Sequence, residues 1–377
     1  MTKTSTGNTS KQNRTLLIMA GGTGGHIFPG LAVAEELAGQ CWNIHWLGTQ
    51  NKMEAELVPK YGYPISFVNI AGFRNKNWKT WLKTPFKIMQ SIVQSIKILR
   101  AVNPDVVLGM GGYASGPGGI AAWLLRKPLV LHEQNAVAGM TNRYLALIAT
   151  KVLAAFPYAF KSTINYQVVG NPLRSDIVAI KNLMPKQPSV SKKVLIVGGS
   201  LGAQILNEVV PLAVKQIKRQ NIDVWHQTGA GKEEKVLSRY KEYGLLGERV
   251  KITEFIEDMA SAYQWADVVI CRAGALTVSE LAMAAKPAIF VPLPHAVDDH
   301  QTKNAMYLVS CGAAKLLPQN EFNGTTLAQM LNSLFSSDKV IQSMSKAAHD
   351  AAHADATKKV AQICQSLLQK GGSNVNF

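Results

Sequence analysis

LLIMAGGTGG at residues 16–25 and VLIVGGSLG at residues 194–202 are the two stretches that decide the fold of this chain. In each, a short apolar run that is typical of a buried strand ends in a glycine-rich turn. A segment with helical periodicity follows each turn. Because the same strand–turn–helix unit opens both halves of the chain, the sequence predicts two similar α/β units in tandem.

Short β-branched runs alternate with longer periodic segments along the rest of the chain. Near-continuous apolar strands separated by helices are typical of parallel sheets that are covered on both faces. Strands are predicted at residues 15–20, 44–47, 106–110, 129–132, 151–154, 194–197, 224–226, 268–271 and 288–291. Helices are predicted at residues 30–40, 85–102, 140–149, 203–219, 259–266, 276–285 and 299–310. The predicted linker lies between Gly170-Asn171-Pro172 and the end of the polar segment 181–193.

Composition limits the class of protein. The chain has 377 residues, 47% of them apolar, so two domains can each fill a core. Its four scattered cysteines form no CxxC pair, which indicates neither a zinc ribbon nor a disulfide framework. Residues 1–13 predict a disordered tail, and no apolar run reaches the ~18 residues that a spanning helix needs. The formal net charge of +16 predicts an anionic partner, either nucleic acid or anionic lipid.

A third glycine-rich segment, GMGGYASGPGG at residues 109–119, also follows a predicted strand. Where a strand turns into a helix, unpaired N–H groups and the helix dipole attract anions, and glycine lets a phosphate approach the backbone. The GxGxxG dinucleotide fingerprint does not occur, because position 27 is Ile. A P-loop does not occur either, because Gly231-Lys232 is followed by Glu233. Because α/β sheets bind ligands at the carboxyl ends of their strands, the three loops predict a site for a phosphate-bearing nucleotide between the two halves.

The alternative is an α/β hydrolase, because residues 198–202 also fit the G-x-S-x-G nucleophile elbow with Ser200 as nucleophile. Asp298 or Asp299 and His300 follow in the required Ser–Asp–His order. This hypothesis leaves the other two glycine loops unexplained, so the anion site is favoured. If the chain is not a hydrolase, we expect Asp298 and His300 to be surface residues before a helix and Asp299 to be the N-cap of that helix.

An ordered set of motifs resembles one known family. The motifs are GGTGGHIFPG at 21–30, GMGGY at 109–113, SGPG at 115–118, HEQN at 132–135, GNPLR at 170–174, GGS at 198–200 and RAGALTVSE at 272–280. Each motif alone is weak, but their order over residues 16–314 is specific. The sequence resembles the MurG family of bacterial N-acetylglucosaminyltransferases.

The resemblance implies an α/β fold of GT-B architecture, in which two doubly wound, Rossmann-like parallel-sheet domains face a cleft. After the 1–13 tail, residues 14–172 would form an N-terminal acceptor-binding and membrane-associating domain. Residues 173–352 would form a C-terminal UDP-GlcNAc-binding domain. Residues 353–377 would be a C-terminal helix that could pack back on the N-terminal domain.

The implied activity is an inverting glycosyl transfer. GlcNAc would move from UDP-GlcNAc to the 4-hydroxyl of MurNAc in undecaprenyl-pyrophosphoryl-MurNAc-pentapeptide (lipid I), giving the disaccharide lipid (lipid II) for peptidoglycan synthesis and hence for cell shape and cell division. No cofactor and no catalytic metal are expected, and the sequence has no Asp-x-Asp triplet. An anionic phospholipid surface is the other implied partner, and further cell-wall enzymes stay open. The implied location is peripheral, on the cytoplasmic side of the bacterial inner membrane.

Motif by motif, the resemblance places the donor site mainly in the second half. Ser200 would contact phosphate, the backbone of Ile256 would meet the uracil, and Glu280 would accept from the ribose hydroxyls. Leu201 stands where many members have Gln, which removes a polar contact near the phosphate. The implied donor-binding residues are Thr23, Gly24, Gly25, Asn135, Arg174, Ser200, Ile256, Ala275, Leu276, Thr277, Val278, Ser279, Glu280 and Gln301, with Asn304 as a further candidate.

Two residues are candidates for the catalytic base. His26 ends the first glycine loop, and an imidazole there could take the proton of the acceptor hydroxyl, bind the acceptor, or merely pack. Glu133 is the competing base, and its alternative is a buried carboxylate that is paired structurally. The implied acceptor-binding residues are His26, Gly111, Gly112, Tyr113, Ser115 and Gly116.

A basic segment that contains tryptophan predicts contact with a membrane. No acid occurs between Glu56 and Asp105. Tryptophan and cations together suit the headgroup region, and no zinc motif or recognition helix favours nucleic acid. The residues placed at the membrane are Trp78, Lys79, Trp81, Leu82, Lys83 and Phe86. The residues expected to face the sheet are Ile88, Met89, Ile92, Val93, Ile96 and Leu99, which recur at helical spacing.

Overall fold

The computed structural model describes residues 14–70, 78–180, 191–199, 201–217, 221–245, 247–294 and 296–369. The tail predicted at residues 1–13 and the nucleophile candidate Ser200 lie outside the described residues. The chain divides into two compact units. Unit 1 contains the described residues up to 132, residues 140–152, and those from 358 onward. Unit 2 contains residues 133–139 and the described residues of 153–357.

The first sheet has seven strands in the order β3-β2-β1-β4-β5-β6-β7. The elements that build it are β1 Thr15–Ala20, α1 Gly24–Ala38, β2 Asn43–Gly48, α2 Met53–Lys60, β3 Ile65–Phe67, α3 Trp78–Val102, β4 Val106–Gly111, α4 Ser115–Leu124, β5 Leu129–Glu133, α5 Met140–Leu145, β6 Lys151–Ala154 and β7 Gln167–Val168. Strand β1 pairs in parallel with both β2 and β4.

The second sheet has six strands in the order β10-β9-β8-β11-β12-β13, and every neighbouring pair is parallel. Its strands and the helices around them are α6 Ser175–Ile180, β8 Lys192–Val197, α7 Gln204–Gln216, β9 Ile222–Gln227, α8 Glu233–Glu242, β10 Val250–Thr253, α9 Met259–Trp265, β11 Val268–Cys271, α10 Ala275–Met283, β12 Ala288–Phe290, α11 His300–Ser310, β13 Ala314–Leu316, α12 Gly324–Leu334 and α13 Asp338–Asp350. The last helix, α14 Ala356–Gln369, belongs to unit 1 from residue 358 onward.

The central strand of each sheet places a glycine loop at a ligand-binding position. Residues 16–20 of β1 and 194–196 of β8 are fully buried, because helices cover both faces of a parallel sheet. The next strand in sequence lies on one side of each central strand, and a later strand lies on the other, β4 beside β1 and β11 beside β8. This reversal opens a crevice at the carboxyl ends of the strands.

All nine predicted strands are present, with bounds that differ by at most two residues. The predicted glycine loop at 109–119 is wrong in its second half, because helix α4 begins at Ser115. Its glycines allow close packing instead: a Cβ at Gly119 would lie 2.8 Å from the side chain of Leu145. Helix α1 begins at Gly24 rather than at residue 30, since its glycine-rich first turn hides the helical pattern.

The buried face of α3 differs in part from the predicted one. Leu99 is buried as predicted, but Met89 and Val93 are 62% and 44% exposed, and Ser91 and Ser95 are buried instead. The serine hydroxyls can be buried because each donates to a backbone carbonyl, that of Ser91 to Lys87 at 2.7 Å and that of Ser95 to Ser91 at 2.8 Å. Small side chains also suit the packing of α3 against α4. Among the described helices, none is both long and apolar enough to cross a membrane.

Candidate active site

The first glycine loop exposes the N-terminus of a long helix. Helix α1 follows β1 after three residues, and its N-cap Thr23 has an extended backbone with a φ of −139°. The side chain of Thr23 makes no capping bond to the helix, and both Thr23 and Gly25 are exposed. The first N–H groups of α1 therefore point out of this edge of unit 1, where an anionic or polar ligand can accept from them.

His26 lies half-buried at the end of this loop. Its Nδ1 is 3.2 Å from the carbonyl oxygen of Gly21 and 3.5 Å from Oγ1 of Thr23. Because a carbonyl can only accept, the contact with Gly21 assigns the ring hydrogen to Nδ1 and makes Nε2 the acceptor nitrogen of the neutral imidazole. That form has the chemistry that a general base needs.

The structure brings the loop after β4 against the loop after β1. The register between the two strands shifts so that Ala20 pairs with Gly111. Gly111 and Gly112 have φ values of +104° and +91°, which favour glycine. A Cβ on Gly111 would lie 3.1 Å from Nε2 of His26, and one on Gly112 would meet the carbonyl of Gly21. Of the predicted acceptor residues, His26 therefore lies against Gly111, and Gly112 lies against the backbone of Gly21 in the loop that precedes His26.

The other predicted acceptor residues have different surroundings. Ser115 is fully buried, and its hydroxyl donates to the carbonyls of Met19 at 3.0 Å and Gly111 at 2.8 Å. Its side chain therefore holds β1 and β4 together, and its contact with the acceptor stays a prediction. Gly116 lies within the first turn of α4, and Tyr113 is 46% exposed in the turn that precedes it.

Glu133 is a buried carboxylate with structural hydrogen bonds, which was the alternative to its role as catalytic base. It is 2% exposed, and its carboxylate accepts from the backbone N–H groups of Asn135 and Gly139, both at 3.0 Å. The side-chain amide of Asn135 donates to it as well, at 3.2 Å. Both carboxylate oxygens thus order the turn of residues 133–139. The geometry favours a positioning role for Glu133 over the role of base.

Asn304 supports the same turn from α11. It is fully buried, and its Oδ1 accepts from the backbone N–H of Ala136 at 2.7 Å. Its Nδ2 donates to Oδ1 of Asn135 at 3.3 Å and to the carbonyl of Ala273 at 3.2 Å. Because both ends of the amide are used within unit 2, Asn304 orients Asn135 and the start of the loop before α10. Its contact with the sugar stays a prediction.

The loop after β8 is held by residues that the sequence did not single out. Oε1 of Gln227 accepts from the N–H groups of Gly198 at 3.0 Å and Gly199 at 3.1 Å. Its Nε2 donates to the carbonyls of Gly199 at 3.0 Å and Glu254 at 2.7 Å. Nζ of Lys232 donates to the carbonyl of Leu201 at 2.6 Å. The signal in the sequence was the segment HQTGAGK at residues 226–232, which spans the end of β9 and the turn after it and which was considered only as a P-loop.

Glu280 and Tyr263 form a second polar cluster in unit 2. The phenol of Tyr263 donates to Oε2 of Glu280 at 2.9 Å. Burial raises the pKa of the Glu280 carboxyl, and the bond from Tyr263 and the charge of Arg174 oppose that rise. Arg174 itself pairs loosely with Asp176, with Nε 3.7 Å from Oδ1. Ile256 is 6% exposed, and its predicted contact through the backbone stays a prediction.

Helix α10 presents its N-terminus at Ala275, Leu276 and Thr277, as predicted from the motif. The side chains of the next two predicted donor residues, Val278 and Ser279, make contacts within unit 2. Val278 is fully buried in the core of unit 2, and the hydroxyl of Ser279 donates to the carbonyl of Ala275 at 3.1 Å and accepts from Asn171 at 3.0 Å. Their side chains therefore fix the helix, and their contact with the donor stays a prediction.

The segment before α11 carries the residues of the hydrolase alternative. Asp298 and Asp299 are exposed and have left-handed φ values of +54° and +51°. Asp299 occupies the N-cap position, but its carboxylate accepts from the hydroxyl of Thr302 at 2.7 Å rather than from the helix backbone. Oε1 of Gln301 accepts from the N–H of Leu293 at 2.9 Å, which ties α11 to the loop after β12. Neither acid has the buried setting of a triad carboxylate.

Both units match family models of known proteins. A model of the glycosyltransferase family 28 N-terminal domain matches residues 16–154, and a model of the glycosyltransferase family 28 C-terminal domain matches residues 193–360. The chain belongs to glycosyltransferase family 28. The predicted resemblance is thereby confirmed, and the hydrolase alternative is not supported.

This family 28 member is also similar to relatives over nearly the whole length of the chain. It is 55% identical over 367 residues to the UDP-N-acetylglucosamine–N-acetylmuramyl-(pentapeptide) pyrophosphoryl-undecaprenol N-acetylglucosamine transferase of Colwellia psychrerythraea, covering 96% of this chain and 95% of that protein. The crystal structure of Acinetobacter baumannii MurG is 40% identical, with a TM-score of 0.80 over 94% of this chain and 99% of its own.

A distant structure agrees in fold alone. The calicheamicin glycosyltransferase CalG4 is 15% identical, with a TM-score of 0.71 over 96% of this chain and 100% of its own. The predicted α/β fold of GT-B architecture, with two Rossmann-like parallel-sheet domains, is confirmed.

Replacing Gly112 tests the contact between the two loops of unit 1. Gly112→Ala adds a Cβ at a φ of +91° and against the carbonyl of Gly21. Left-handed strain alone costs about 1–2 kcal/mol, so we expect the melting temperature to fall by about 4 °C or more. Gly62→Ala is the matched control, because Gly62 also has a positive φ, +80°, but a Cβ there would meet nothing within 4 Å. Equal melting temperatures of the two variants, measured by calorimetry, would contradict the contact.

Proposed function

We propose that this family 28 member transfers GlcNAc from UDP-GlcNAc to the 4-hydroxyl of MurNAc in undecaprenyl-pyrophosphoryl-MurNAc-pentapeptide. The observation that carries the proposal is the 55% identity, over 96% of the chain, to a transferase of that name. The product is the β-1,4-linked disaccharide lipid of peptidoglycan synthesis, formed with inversion at the anomeric carbon. The two units then divide the work, unit 1 toward the acceptor and unit 2 toward the donor.

The donor nucleotide binds in unit 2. Gly198, Gly199 and Leu201 belong to a loop that Gln227 and Lys232 hold in one conformation, which prepares its backbone for phosphate. The N–H groups at the start of α10 face the pyrophosphate, and Arg174 adds a positive charge near it. Glu280 accepts from the ribose hydroxyls, and the bond from Tyr263 fixes the direction of its carboxylate.

The transfer is a direct displacement. The acceptor hydroxyl attacks the anomeric carbon of GlcNAc as the bond from that carbon to the UDP oxygen breaks. Nε2 of His26 takes the proton of the attacking hydroxyl. Helix N-terminal N–H groups and Arg174 stabilise the negative charge on the departing UDP. We propose no catalytic metal, a view supported by the lack of an Asp-x-Asp triplet in the sequence.

The decisive assay follows UDP release from purified protein supplied with UDP-GlcNAc, with and without a short-chain lipid-linked muramyl-pentapeptide. We expect release that depends on the acceptor and that persists, at a reduced rate, in Ser200→Ala.

We expect His26→Ala to lower kcat about 100-fold or more while the donor KM changes little, since a general base contributes about 10²–10⁴ to rate. An unchanged kcat in His26→Ala would show that His26 is not the general base. Esterase turnover in the wild type that is lost in Ser200→Ala would favour the hydrolase.

Glu280 makes donor binding depend on pH. Because burial raises the pKa of its carboxyl above the usual 4.5, the carboxylate that accepts from ribose forms only as the pH rises through that raised value. We expect the donor KM to fall as the pH rises above 4.5 and to lose this limb in Glu280→Gln. Glu280→Ala should raise the donor KM about tenfold or more, whereas Glu242→Ala, on exposed α8 surface, should not. Equal donor KM values for both alanine variants would remove Glu280 from the ribose site.

Membrane association is supported by an apolar surface on unit 1. This surface, the α3–α5 surface, consists of Phe86, Met89, Val93, Trp123, Leu124, Met140, Tyr144 and Leu147, each 44–79% exposed. All of these residues except Leu147, which follows α5, lie on α3, α4 and α5, and α4 packs against both of the other helices. The side chains of Trp78, Lys79, Trp81, Leu82 and Lys83 lie outside the described residues, and Phe86, at 79% exposed, is the part of that prediction that the structure describes.

An exposed apolar surface on a basic protein suits an anionic bilayer. Exposed cations, Lys87, Lys97 and Arg143, lie on the same helices or beside them. Because the polyprenyl chain of the acceptor stays in the bilayer, docking brings unit 1 to its substrate. We therefore propose a peripheral enzyme on the cytoplasmic side of the bacterial inner membrane, with anionic phospholipid as a partner and nucleic acid excluded.

Binding to vesicles of anionic and zwitterionic lipid tests this surface. We expect salt-sensitive binding to phosphatidylglycerol vesicles and none to DNA at the same salt concentration. Phe86→Glu with Met89→Glu should weaken vesicle binding about tenfold or more, because each buried apolar side chain contributes about 1.5–3 kcal/mol. Leu237→Glu, on the exposed face of α8, is the matched control. Vesicle binding that is equal in both variants would place the membrane contact elsewhere.

A further inference from the structure

Glu54 is a buried carboxylate that the proposed mechanism does not use. It lies in the first turn of α2, where the helix dipole favours an acid, and its side chain is fully buried. Oε1 accepts from the N–H of Thr49 at 3.0 Å and from the hydroxyl of Thr49 at 2.6 Å. Oε2 accepts from the N–H of Gly22 at 2.9 Å. The carboxylate therefore joins the loop after β2 to the glycine loop after β1.

Two glycines make room for this carboxylate. A Cβ at Gly48 would lie 2.8 Å from Cγ of Glu54, and a Cβ at Gly21 would meet the carboxylate itself. Neither glycine is needed there for its φ, since neither has a positive one. The space that Glu54 fills is thus formed by the absence of side chains at the ends of β1 and β2.

The hydrogen bond from Gly22 reaches His26 through one peptide group. The N–H that donates to Glu54 and the carbonyl of Gly21 that accepts from Nδ1 of His26 belong to the same planar amide. Fixing one end of that amide fixes the other. Hydrogen bonds in such a chain also polarise one another, so the carboxylate strengthens the carbonyl as an acceptor.

The opposite side of this peptide is closed by Gly112. Its backbone lies so close to Gly21 that a Cβ there would meet the carbonyl and the amide nitrogen of Gly21. The 21–22 peptide is therefore held between the carboxylate of Glu54 and the loop after β4. The imidazole of His26, which rests against Gly111, receives a carbonyl of defined direction.

We propose that Glu54 is a positioning residue for His26. Through the 21–22 peptide it directs the carbonyl of Gly21 at Nδ1, which keeps the hydrogen on Nδ1 and presents Nε2 as the proton acceptor. In serine proteases a carboxylate holds the histidine tautomer directly, whereas here one peptide group stands between the carboxylate and the imidazole. This inference rests on the proposed function, in which His26 takes the proton of the acceptor hydroxyl.

Two variants separate this role from a contribution to stability. Glu54→Gln keeps the shape of the side chain but turns one acceptor into a donor, so it cannot accept from the N–H groups of both Gly22 and Thr49. Asp105→Asn is the matched control, because Oδ2 of Asp105 accepts from the N–H of Thr15 at 2.7 Å, at the opposite end of the same strand β1. Both changes remove a carboxylate-to-backbone bond from unit 1, but only the first touches the glycine loop.

The kinetic measurement compares kcat and the donor KM of the purified full-length variants in the acceptor-dependent assay. We expect Glu54→Gln to lower kcat about tenfold or more with the donor KM within about twofold of wild type. We expect Asp105→Asn to keep kcat within about twofold, even where its melting temperature falls as far. Equal kcat values for the two variants at equal melting temperatures would overturn the positioning role.

The spectroscopic measurement does not depend on turnover. Long-range ¹H–¹⁵N correlation of protein labelled at histidine distinguishes hydrogen on Nδ1 from hydrogen on Nε2, and His26→Gln identifies the signals of His26. We expect the Nδ1–H form in wild type and Asp105→Asn, and a loss of that form in Glu54→Gln. An unchanged tautomer in Glu54→Gln would overturn the inference even if kcat falls. If His26→Ala keeps full kcat, the proposed base fails, while the tautomer measurement still decides the link between Glu54 and His26.

Discussion

Backbone-to-backbone contact between glycine loops is the constraint on which both halves of this structure depend. In unit 1, Gly112 lies against the backbone of Gly21; in unit 2, Gly202 lies against that of Thr228. Both glycines have positive φ values, +91° and +67°, and neither position has space for a Cβ. Only glycine allows the loops after adjacent parallel strands to stack in this way. The stacking directs the backbone groups of each loop toward the edge of the sheet where a ligand binds.

Because these loops are rich in glycine, they have few polar side chains of their own, and residues of neighbouring strands and helices bind their backbone groups. Glu54 supplies an acceptor for the loop after β1, and Gln227 supplies both acceptors and donors for the loop after β8. Glu133 and Asn304 do the same for the turn of residues 133–139. An unpaired buried amide or carbonyl costs about 1–3 kcal/mol, so these partners are what keeps each loop in one conformation. The repeated fold thus carries a repeated solution with different residues.

Burial separates the titratable groups that serve chemistry from those that serve the fold. His226 is fully buried between Asn207 and Tyr240, with ring nitrogens 3.1 Å from each of their oxygens. Burial lowers the pKa of His226 to about 3, so the ring is neutral near pH 7 and acts as a hydrogen-bonded core residue. His26 is half-buried at a loop end with solvent beside it. Residue type alone does not distinguish these two histidines.

Sequence alone determined the two α/β units, the nine central strands and the glycine loops, because short apolar runs and glycine clusters are local signals. The ordered motifs also identified the family, and with it the roles assigned to His26 and Glu280. Tertiary structure decided which residues of those motifs face inward: Ser115, Val278 and Ser279 are buried or bonded within their own unit. It also revealed Glu54 and Gln227, which lie 32 and 28 residues from a loop glycine that each one holds. No local pattern records such a contact, because it arises only when parallel strands bring separate loops to the same edge of a sheet.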